Sequence, residues 1–326
     1  MNKKYLVLLL VFIFILCVLA SFLGIYAYYK LNWNTDNTQE DNLGTGGNNG
    51  NTENNGNNTN NGNTGNDGNT GNNNNSGNNG NNGTGETLVK SKKYALVISG
   101  ESNDAQHYTW FKDSSQQAYK LLIKNGYKPE DVYYLFEGAN EPDVDYESTL
   151  KNLETAVLEI NKKSTEKDDL VFIFIGHGGF NGQNSSYALA DTNIKDDKLA
   201  AMFSILKRNK LTIVFSPCNT GGFVNDLSGP NTVFISSTRP EESNRAAFIE
   251  PFLSSFDGSG DVNKDGKVSF AEAFNFASKS VKDQYASNHW GTLTEHAQLD
   301  DNGDGVSHET PIPNGQDGAL AEETFL

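Results

Sequence analysis

Short apolar runs alternate with amphipathic segments along residues 92–256. Val, Ile, Leu, Phe and Tyr dominate residues 94–100, 131–136, 169–175, 211–215 and 231–237. Runs of this length and composition predict strands buried on both faces. Apolar positions recur at helical spacing over residues 104–125, 147–163, 196–209 and 242–256, with Pro251 expected to kink or divide the last helix. Strands alternating with helices predict an α/β fold, a doubly wound and mostly parallel sheet with helices on both faces.

Two segments without this alternation precede the folded part. Residues 5–29 are apolar and uncharged, and they are long enough to span a bilayer. Because Lys3 and Lys4 stand before them, residues 1–4 are expected in the cytoplasm and the rest of the chain outside the cell membrane. Residues 30–91 are mostly Asn, Gly and Thr, which predicts a disordered linker. A cleaved signal peptide, which would release a secreted protein, is the alternative to this anchor.

Charge narrows the range of partners. The chain has 25 Lys and Arg residues against 41 Asp and Glu, and its formal net charge is −16. Binding to nucleic acid requires a basic surface that neutralises phosphates, so no nucleic-acid partner is expected. Part of the acidic excess lies near the C-terminus, where a cation could neutralise it.

Two of the predicted strands end in glycine-rich segments that carry reactive side chains. Residues 169–179, DLVFIFIGHGG, place His177 after one strand, and residues 211–222, LTIVFSPCNTGG, place Cys218 after the next. The carboxyl ends of neighbouring parallel strands share one crevice, so the two side chains are expected to meet there. A thiol beside an imidazole is a nucleophile beside its base. A buried cysteine that acts only as a small apolar side chain is the alternative.

Glycine supplies the second half of this chemistry. Gly178 follows His177 directly, so its backbone N–H can enter the crevice without steric hindrance. Together with the N–H of Cys218, it would stabilise the oxyanion of an acyl-transfer intermediate. Cys17 lies in the apolar N-terminal segment and cannot form a disulfide with Cys218 inside one folded domain. We therefore predict His177, Cys218 and Gly178 as the catalytic set.

Five segments in this order resemble the legumain-like (asparaginyl endopeptidase) family, within the caspase-like cysteine peptidases of clan CD. They are YALVISG at 94–100, AYKLLIKNGYKPEDV at 118–132, GHGG at 176–179, CNTGG at 218–222 and SSTRPEESN at 236–244. The resemblance covers about residues 94–256. It implies a caspase-like sheet and a Cys–His dyad that cleaves peptide bonds, so residues 92–256 are expected to form a cysteine peptidase domain.

The resemblance does not carry over the substrate preference of the family. Legumains recognise asparagine through charged residues, and two of the corresponding positions here are Trp110 and Ser216. An asparagine-specific enzyme would also cut its own Asn-rich linker repeatedly. A third position of the family's pocket corresponds to Glu250, whose carboxylate would favour a basic residue before the scissile bond. The resemblance thus implies a substrate pocket that includes these three residues.

Residues 261–272, DVNKDGKVSFAE, have the oxygen pattern of a calcium-binding EF-hand loop. Asp261, Asn263 and Asp265 hold positions 1, 3 and 5, and Lys267 at position 7 would offer its backbone carbonyl. Glu272 at position 12 would close the site with both carboxylate oxygens. The alternative is an acidic surface turn without a metal.

A second acidic loop repeats only the first half of this pattern. Asp300, Asn302 and Asp304 hold positions 1, 3 and 5, but the next acid, Glu309, falls at position 10 instead of 12. Residues 257–326 are therefore expected to form a calcium-binding C-terminal region in which Ca²⁺ has a structural role. Four histidines without metal-ligand spacing are expected to be structural residues of the surface or the core, and they are His107, His289, His296 and His308.

These features favour a membrane-anchored, extracytoplasmic cysteine endopeptidase that acts on a peptide or protein and needs no cofactor for catalysis. A transpeptidase that uses the same acyl-enzyme is one alternative, since the acceptor of the acyl group decides between transfer and hydrolysis. An inactive, calcium-dependent surface binding module on a peptidase fold is the other.

Overall fold

A computed structural model describes residues 91–138, 140–243 and 245–326, which belong to one compact unit, Gly83–Leu326. The predicted anchor at residues 5–29 and nearly all of the predicted linker lie outside the described residues. Within the described ranges, no helix is long and apolar enough to cross a membrane.

Strands occupy the positions that the apolar runs predict, with additions. They are β1 (Lys93–Ser99), β2 (Val132–Phe136), β3 (Tyr146–Glu147), β4 (Asp169–Ile175), β5 (Gly178–Phe180), β6 (Ser185–Ala188), β7 (Asn193–Lys195), β8 (Lys210–Phe215), β9 (Thr232–Ser236) and β10 (Gln298–Asp300). Seven of them form one sheet in the order β10-β9-β8-β4-β1-β2-β3. All neighbours in it are parallel except β10, which is antiparallel to β9. The prediction of an α/β fold with a mostly parallel sheet is confirmed.

Helices cover both faces of this sheet. They are α1 (Ala105–Lys124), α2 (Leu150–Lys163), α3 (Asp196–Phe203), α4 (Val224–Leu227), α5 (Ile249–Ser254), α6 (Phe270–Ser287) and α7 (Ala319–Glu322). Alternate residues of β1 enter opposite cores, Ala95 and Val97 with α1, α5 and α6, and Leu96 and Ile98 with α2, α3 and α4. Because both faces are covered, the strands are apolar at successive positions.

Two helices are shorter than predicted. The prediction of a helix over residues 242–256 is wrong for its first half, since α5 begins only at Ile249. The backbone N–H groups of Arg245, Ala247 and Phe248 are donated to the buried Glu295 carboxylate, at 3.2, 3.3 and 2.9 Å, instead of to a helix. Pro251 causes no kink, because it lies in the first turn of α5, where N–H groups have no intrahelical partner. Similarly, α3 ends at Phe203 and does not reach residue 209.

A small antiparallel sheet of β5, β6 and β7 follows His177 directly, in a segment where no strand is predicted. Tyr187 of β6 is fully buried, and its hydroxyl lies 3.2 Å from the carbonyl oxygen of Ile98 and 2.7 Å from that of Ile175. The small sheet is therefore fixed against the carboxyl ends of β1 and β4.

The order of the large sheet reverses at β1. The chain continues from β1 to β2 and β3 on one side, then returns to add β4 and β8 on the other. In open α/β sheets, ligands bind outside the carboxyl ends of the strands at such a switch point. We call this side, where β1, β4 and β8 end, the carboxyl end of the sheet, and the opposite side the amino end.

Candidate active site

His177 and Cys218 lie after neighbouring parallel strands at the carboxyl end of the sheet. Phe174 of β4 is paired with Phe215 of β8, and the next N–H, that of Ser216, is donated to the Phe174 carbonyl at 2.9 Å. A Cβ atom placed on Gly178 would collide with the backbone carbonyl oxygen of Cys218. The structure thus brings the His177–Gly178 segment and the Cys218 backbone together.

The His177 imidazole is half-buried among aromatic rings. Its centroid lies 5.1 Å from that of Phe111 and 4.9 Å from that of His107. Burial lowers the pKa of His177 below its usual value, and the charge of His107 acts in the same direction, while the Ser102 carbonyl and nearby acidic groups oppose them. Nε2 lies 3.4 Å from that carbonyl oxygen, so it is the donor. A neutral imidazole that donates through Nε2 keeps Nδ1 free to accept a proton.

Three residues around His177 were not predicted from the sequence as part of the site. Ser102 follows β1, and its N–H (2.9 Å) and hydroxyl are both donated to the carboxylate of Glu137, which follows β2. This contact fixes the carbonyl that orients His177. His107, predicted as structural, contacts the His177 ring from the first turn of α1. The sequence could have indicated Ser102 and Glu137, because each follows a strand that ends at the carboxyl end of the sheet.

Cys218 begins a tight turn and forms no disulfide. The next residue, Asn219, has a left-handed backbone (φ 62°), and its N–H is donated to the Glu242 carbonyl at 2.9 Å. Its own carbonyl accepts the Ser185 hydroxyl at 2.6 Å. At Gly221 a Cβ atom would come within 2.6 Å of the Gln298 side-chain oxygen of β10. The turn therefore packs so closely against its neighbours that glycine is required there.

The N–H of Gly178 is not donated to the adjacent strand β6. Gly178 lies opposite Tyr187, and the preceding residue, His177, lies opposite Ala188. The His177–Ala188 pair is hydrogen-bonded, because the Ala188 N–H is donated to the His177 carbonyl at 3.0 Å. Bonded and non-bonded pairs alternate along an antiparallel ladder. The N–H of Gly178 therefore points away from β6 and can serve as a donor to a ligand.

The three predicted pocket residues, Trp110, Ser216 and Glu250, line one cavity of about 390 Å³. Gly176 precedes His177 and Ser216 lies shortly before Cys218, and both are in its wall, so the cavity adjoins these two residues. Its charges are mixed, because Asp113 and Arg245 line it too. The Arg245 guanidinium lies 5.5 Å from the Trp290 ring centroid.

A larger cavity, of about 560 Å³, lies at the amino end. It is lined by Lys93, Asp169 and Lys210, the first residues of β1, β4 and β8, and by parts of the 261–272 loop. It is remote from His177 and Cys218 along the strands, so the smaller cavity is the one of the two that adjoins these residues.

The 261–272 loop turns its carboxylates inward. The Asp261 carboxylate accepts the N–H groups of Asp265 (3.2 Å) and Gly266 (3.0 Å). Glu272 accepts those of Val262 (3.1 Å) and Asn263 (3.2 Å). Each Asp261 oxygen keeps a second lone pair, and an all-oxygen set suits Ca²⁺, so the residue types fit the ion that the sequence predicts. Glu272 would have to give up hydrogen bonds to bind it, because its second oxygen already accepts the N–H and the hydroxyl of Ser269.

The second acidic loop, residues 300–305, follows β10. The acid expected at its far side, Glu309, instead forms an ion pair with Arg239 at 2.5 Å. Across the described ranges, no three His, Cys, Asp or Glu side chains are already gathered around one point as metal ligands.

No family model matches the chain, and no curated protein matches it. Among solved structures, protein GSU0716 from Geobacter sulfurreducens is similar, with 14% sequence identity and a TM-score of 0.47. The match covers 72% of this chain and 99% of that one.

Proposed function

We propose that the chain is a legumain-like cysteine endopeptidase with a caspase-like sheet, in which Cys218 is the nucleophile and His177 the base. The observation that supports it most is the placement of both residues after adjacent parallel strands, with Gly178 packed on the Cys218 backbone. The lowered pKa of His177 supports the role of base, since burial keeps its imidazole neutral and able to take a proton.

The proposed reaction has two stages. His177 accepts the thiol proton of Cys218 while Sγ attacks the carbonyl carbon of the scissile peptide bond, and the N–H groups of Gly178 and Cys218 stabilise the oxyanion. The bond to nitrogen then breaks, and the leaving amine takes the proton from His177. A water molecule, deprotonated by His177, attacks the resulting thioester. The acid product leaves, and the thiol regains its proton.

The side chain before the scissile bond would occupy the 390 Å³ cavity. Trp110 offers a flat apolar wall, and the carboxylates of Glu250 and Asp113 favour a positive end group. The positive charge of Arg245 would repel such a group. The contact of Arg245 with Trp290 would therefore have to keep the guanidinium away from the bound side chain. Positional-scanning peptide libraries test this preference: Glu250→Gln should reduce cleavage after Arg and Lys more than cleavage after neutral residues.

The proposal includes a structural Ca²⁺ in the 261–272 loop and a membrane anchor at residues 5–29, followed by a linker at 30–91. For the calcium, a chelator should lower the melting temperature of the wild type by more than that of a Glu272→Gln variant. For the anchor, a membrane-impermeant protease added to intact cells should release the catalytic part, which would not occur if the N-terminal segment were oriented the other way.

The central test is Cys218→Ala in the full chain, with Cys17→Ala as the matched control. We expect Cys218→Ala to lower peptide cleavage by at least about 10³-fold and to abolish labelling by a thiol-directed acyloxymethyl ketone, while Cys17→Ala retains both. Unchanged cleavage in Cys218→Ala would refute the proposal. Mass spectrometry with an added amine distinguishes the transpeptidase, which would yield a ligated product. A folded chain whose Cys218 does not react would favour the inactive binding module.

A further inference from the structure

The cavity of about 560 Å³ at the amino end has two lysines in its wall whose ammonium groups form no ion pair with the described residues. Lys93, the first residue of β1, is half-buried, and its Nζ lies 5.6 Å from the centroid of the Tyr127 ring. Lys267 comes from the exposed 261–272 loop, and its Nζ lies 5.3 Å from the centroid of the Phe325 ring. An ammonium group that is partly removed from water is unfavourable unless an anion meets it.

The charges around Lys93 do not balance. Burial lowers the pKa of Lys93, the Asp169 carboxylate opposes this shift, and the positive charge of Lys267 adds to it. The Asp169 carboxylate is also shared, because it accepts the side-chain N–H of Asn209 at 2.9 Å. Lys93 and Lys267 are therefore near enough to repel each other, with one partly committed acid beside them.

The other acids in the wall of this cavity are directed elsewhere. The Asp261 carboxylate accepts two N–H groups of its own loop, as described above. Asp257 accepts the Ser259 N–H at 2.9 Å. Glu323 is exposed. These commitments leave the two ammonium groups without a counter-ion inside the cavity.

Two hydroxyl groups open onto the same cavity. Tyr127 is 4% exposed and Thr212 of β8 is 1% exposed, and both are in its wall. Neither hydroxyl has a hydrogen-bond partner among the described residues, and neither is enclosed in the core. Polar groups of buried residues normally have a partner. The two hydroxyls are thus donors for an oxygen atom that enters the cavity.

The rest of the wall includes apolar side chains, among them Phe256, Val268 and Phe325. Small-molecule sites have volumes of roughly 300–1,000 Å³ and combine an apolar wall with a few polar groups that fix the orientation of the ligand. The cavity has this combination, with its cationic and hydroxyl groups together. It therefore suits an organic molecule with an anionic end and a short apolar part.

We propose that the amino-end cavity binds a small organic carboxylate, whose acid group is bound by the ammonium groups of Lys93 and Lys267. The hydroxyls of Tyr127 and Thr212 would donate to the same acid group. Hydrogen bonds from such donors to a carboxylate are stronger than those between neutral groups. The site lies at the opposite end of the strands from the proposed dyad, and it does not depend on the peptidase assignment.

An occupant of this cavity would connect parts of the chain that are distant in sequence. The wall combines the start of β1, the 261–272 loop and residues 323–326. The last of these are held to the loop side by the Phe270 N–H, which is donated to the Thr324 carbonyl at 2.9 Å. A ligand that contacts all three parts binds the folded state alone, so it should raise the melting temperature.

Isothermal titration of the full chain with sodium hexanoate, at a fixed concentration of CaCl₂, tests the site without reference to peptide cleavage. We expect hexylammonium chloride, which has the same tail and the opposite charge, to bind at least about tenfold more weakly. Inorganic phosphate, which has no tail, should also bind more weakly than hexanoate.

Lys93→Met and Lys267→Met keep the apolar stems and remove one charge each, so each should weaken hexanoate binding at least about tenfold. Lys267 is exposed, so its variant tests the site even if the substitution of the half-buried Lys93 prevents folding. The matched control is Lys264→Met, which removes an exposed lysine of the same loop that is not in the cavity wall. It should bind hexanoate as the wild type does.

The absence of hexanoate binding in the wild type would overturn the proposal, as would equal affinity in Lys267→Met and Lys264→Met. Phosphate or hexylammonium that binds as tightly as hexanoate would contradict the class of ligand. Melting curves add a second readout. Hexanoate should raise the melting temperature of the wild type and of Lys264→Met by more than that of Lys267→Met, and the same rise in all three would count against the site.

Discussion

The two ends of the central sheet differ in cavity size and in chemistry. The larger cavity, about 560 Å³, lies at the amino end among lysines and carboxylates that begin the strands. The smaller, about 390 Å³, lies at the carboxyl end beside a half-buried histidine and a cysteine. Strand direction is therefore a better guide than cavity volume to where reactive side chains meet, because the loops that follow parallel strands all lie at one end of the sheet.

The largest effect is expected from Gly178→Ala at the carboxyl end. Its Cβ would collide with the Cys218 carbonyl, so the two segments of the proposed dyad must separate. We expect kcat/KM for peptide cleavage to fall by at least about 10²-fold. The matched control is Gly229→Ala beside the amino end, where a Cβ meets nothing within 4 Å. Equal activity in both variants would contradict the assignment of Gly178 to the site.

A second prediction concerns Glu295, which holds the pocket wall at Arg245, Ala247 and Phe248. Burial raises the pKa of Glu295 from 4.5 to about 7. Between about pH 4.5 and 7, Glu295 therefore keeps its proton in the folded state and loses it in the unfolded state. The stability from this group is fully present below about pH 4.5 and is lost as the pH rises through about 7, amounting to roughly 3 kcal/mol.

Glu295→Gln should accordingly flatten the dependence of the free energy of unfolding on pH between about 4.5 and 7. Urea denaturation at a series of pH values measures it. The control is Glu166→Gln, an exposed acid that precedes β4 at the amino end. If the slope in Glu295→Gln matched that of the wild type, the buried carboxylate would not be the group that titrates.

At the amino end, Lys210→Met should affect stability and not catalysis. Lys210 donates to the Thr324 hydroxyl at 2.8 Å and to the Glu323 carbonyl at 3.3 Å. Methionine keeps the apolar stem, so we expect a loss of about 1 kcal/mol in the free energy of unfolding. Cleavage rates should stay within about twofold of those of Lys207→Met, an exposed control. A tenfold loss of activity in Lys210→Met would contradict the prediction that the amino end affects stability and not catalysis.

The smallest effect is expected from His107→Gln. Burial is the main cause of the lowered pKa of His177, and the charge of His107 adds to it. Without that charge, the pKa of His177 rises, and the acid limb of the profile of kcat/KM against pH moves to higher pH. The exposed His289→Gln should leave the limb in place. A shift to lower pH in His107→Gln would show that His107 acts on His177 through another contact.

The sequence was sufficient to predict five of the seven strands of the large sheet and to place His177 and Cys218 at its carboxyl end. Strands β4 and β8 are continuous apolar runs that end at His177 and Cys218, and such runs are decided by local composition. The oxygen positions of the 261–272 loop follow from spacing in the same way.

The features that the sequence did not predict depend on residues distant in the chain. Residues 242–248 have helical spacing, but the Glu295 carboxylate takes the N–H groups that a helix would use. Strands β5 to β7 are only three or four residues long, and β5 begins with two glycines, so periodicity cannot identify them. The contact of His107 with His177 exists only because α1 packs across the end of β4.

The late position of β10 in the chain has a consequence for biosynthesis. The turn at Cys218 rests on Gln298, and its neighbour Glu242 is bonded to His296. Both supports emerge from the ribosome only after the four central parallel strands have been made. Since the N-terminal parts of a chain are available to fold first, the turn stays without these supports until residues 296–298 have been synthesised. In the proposed peptidase, the turn that carries Cys218 would therefore gain its supports only after β10 has been added to the sheet.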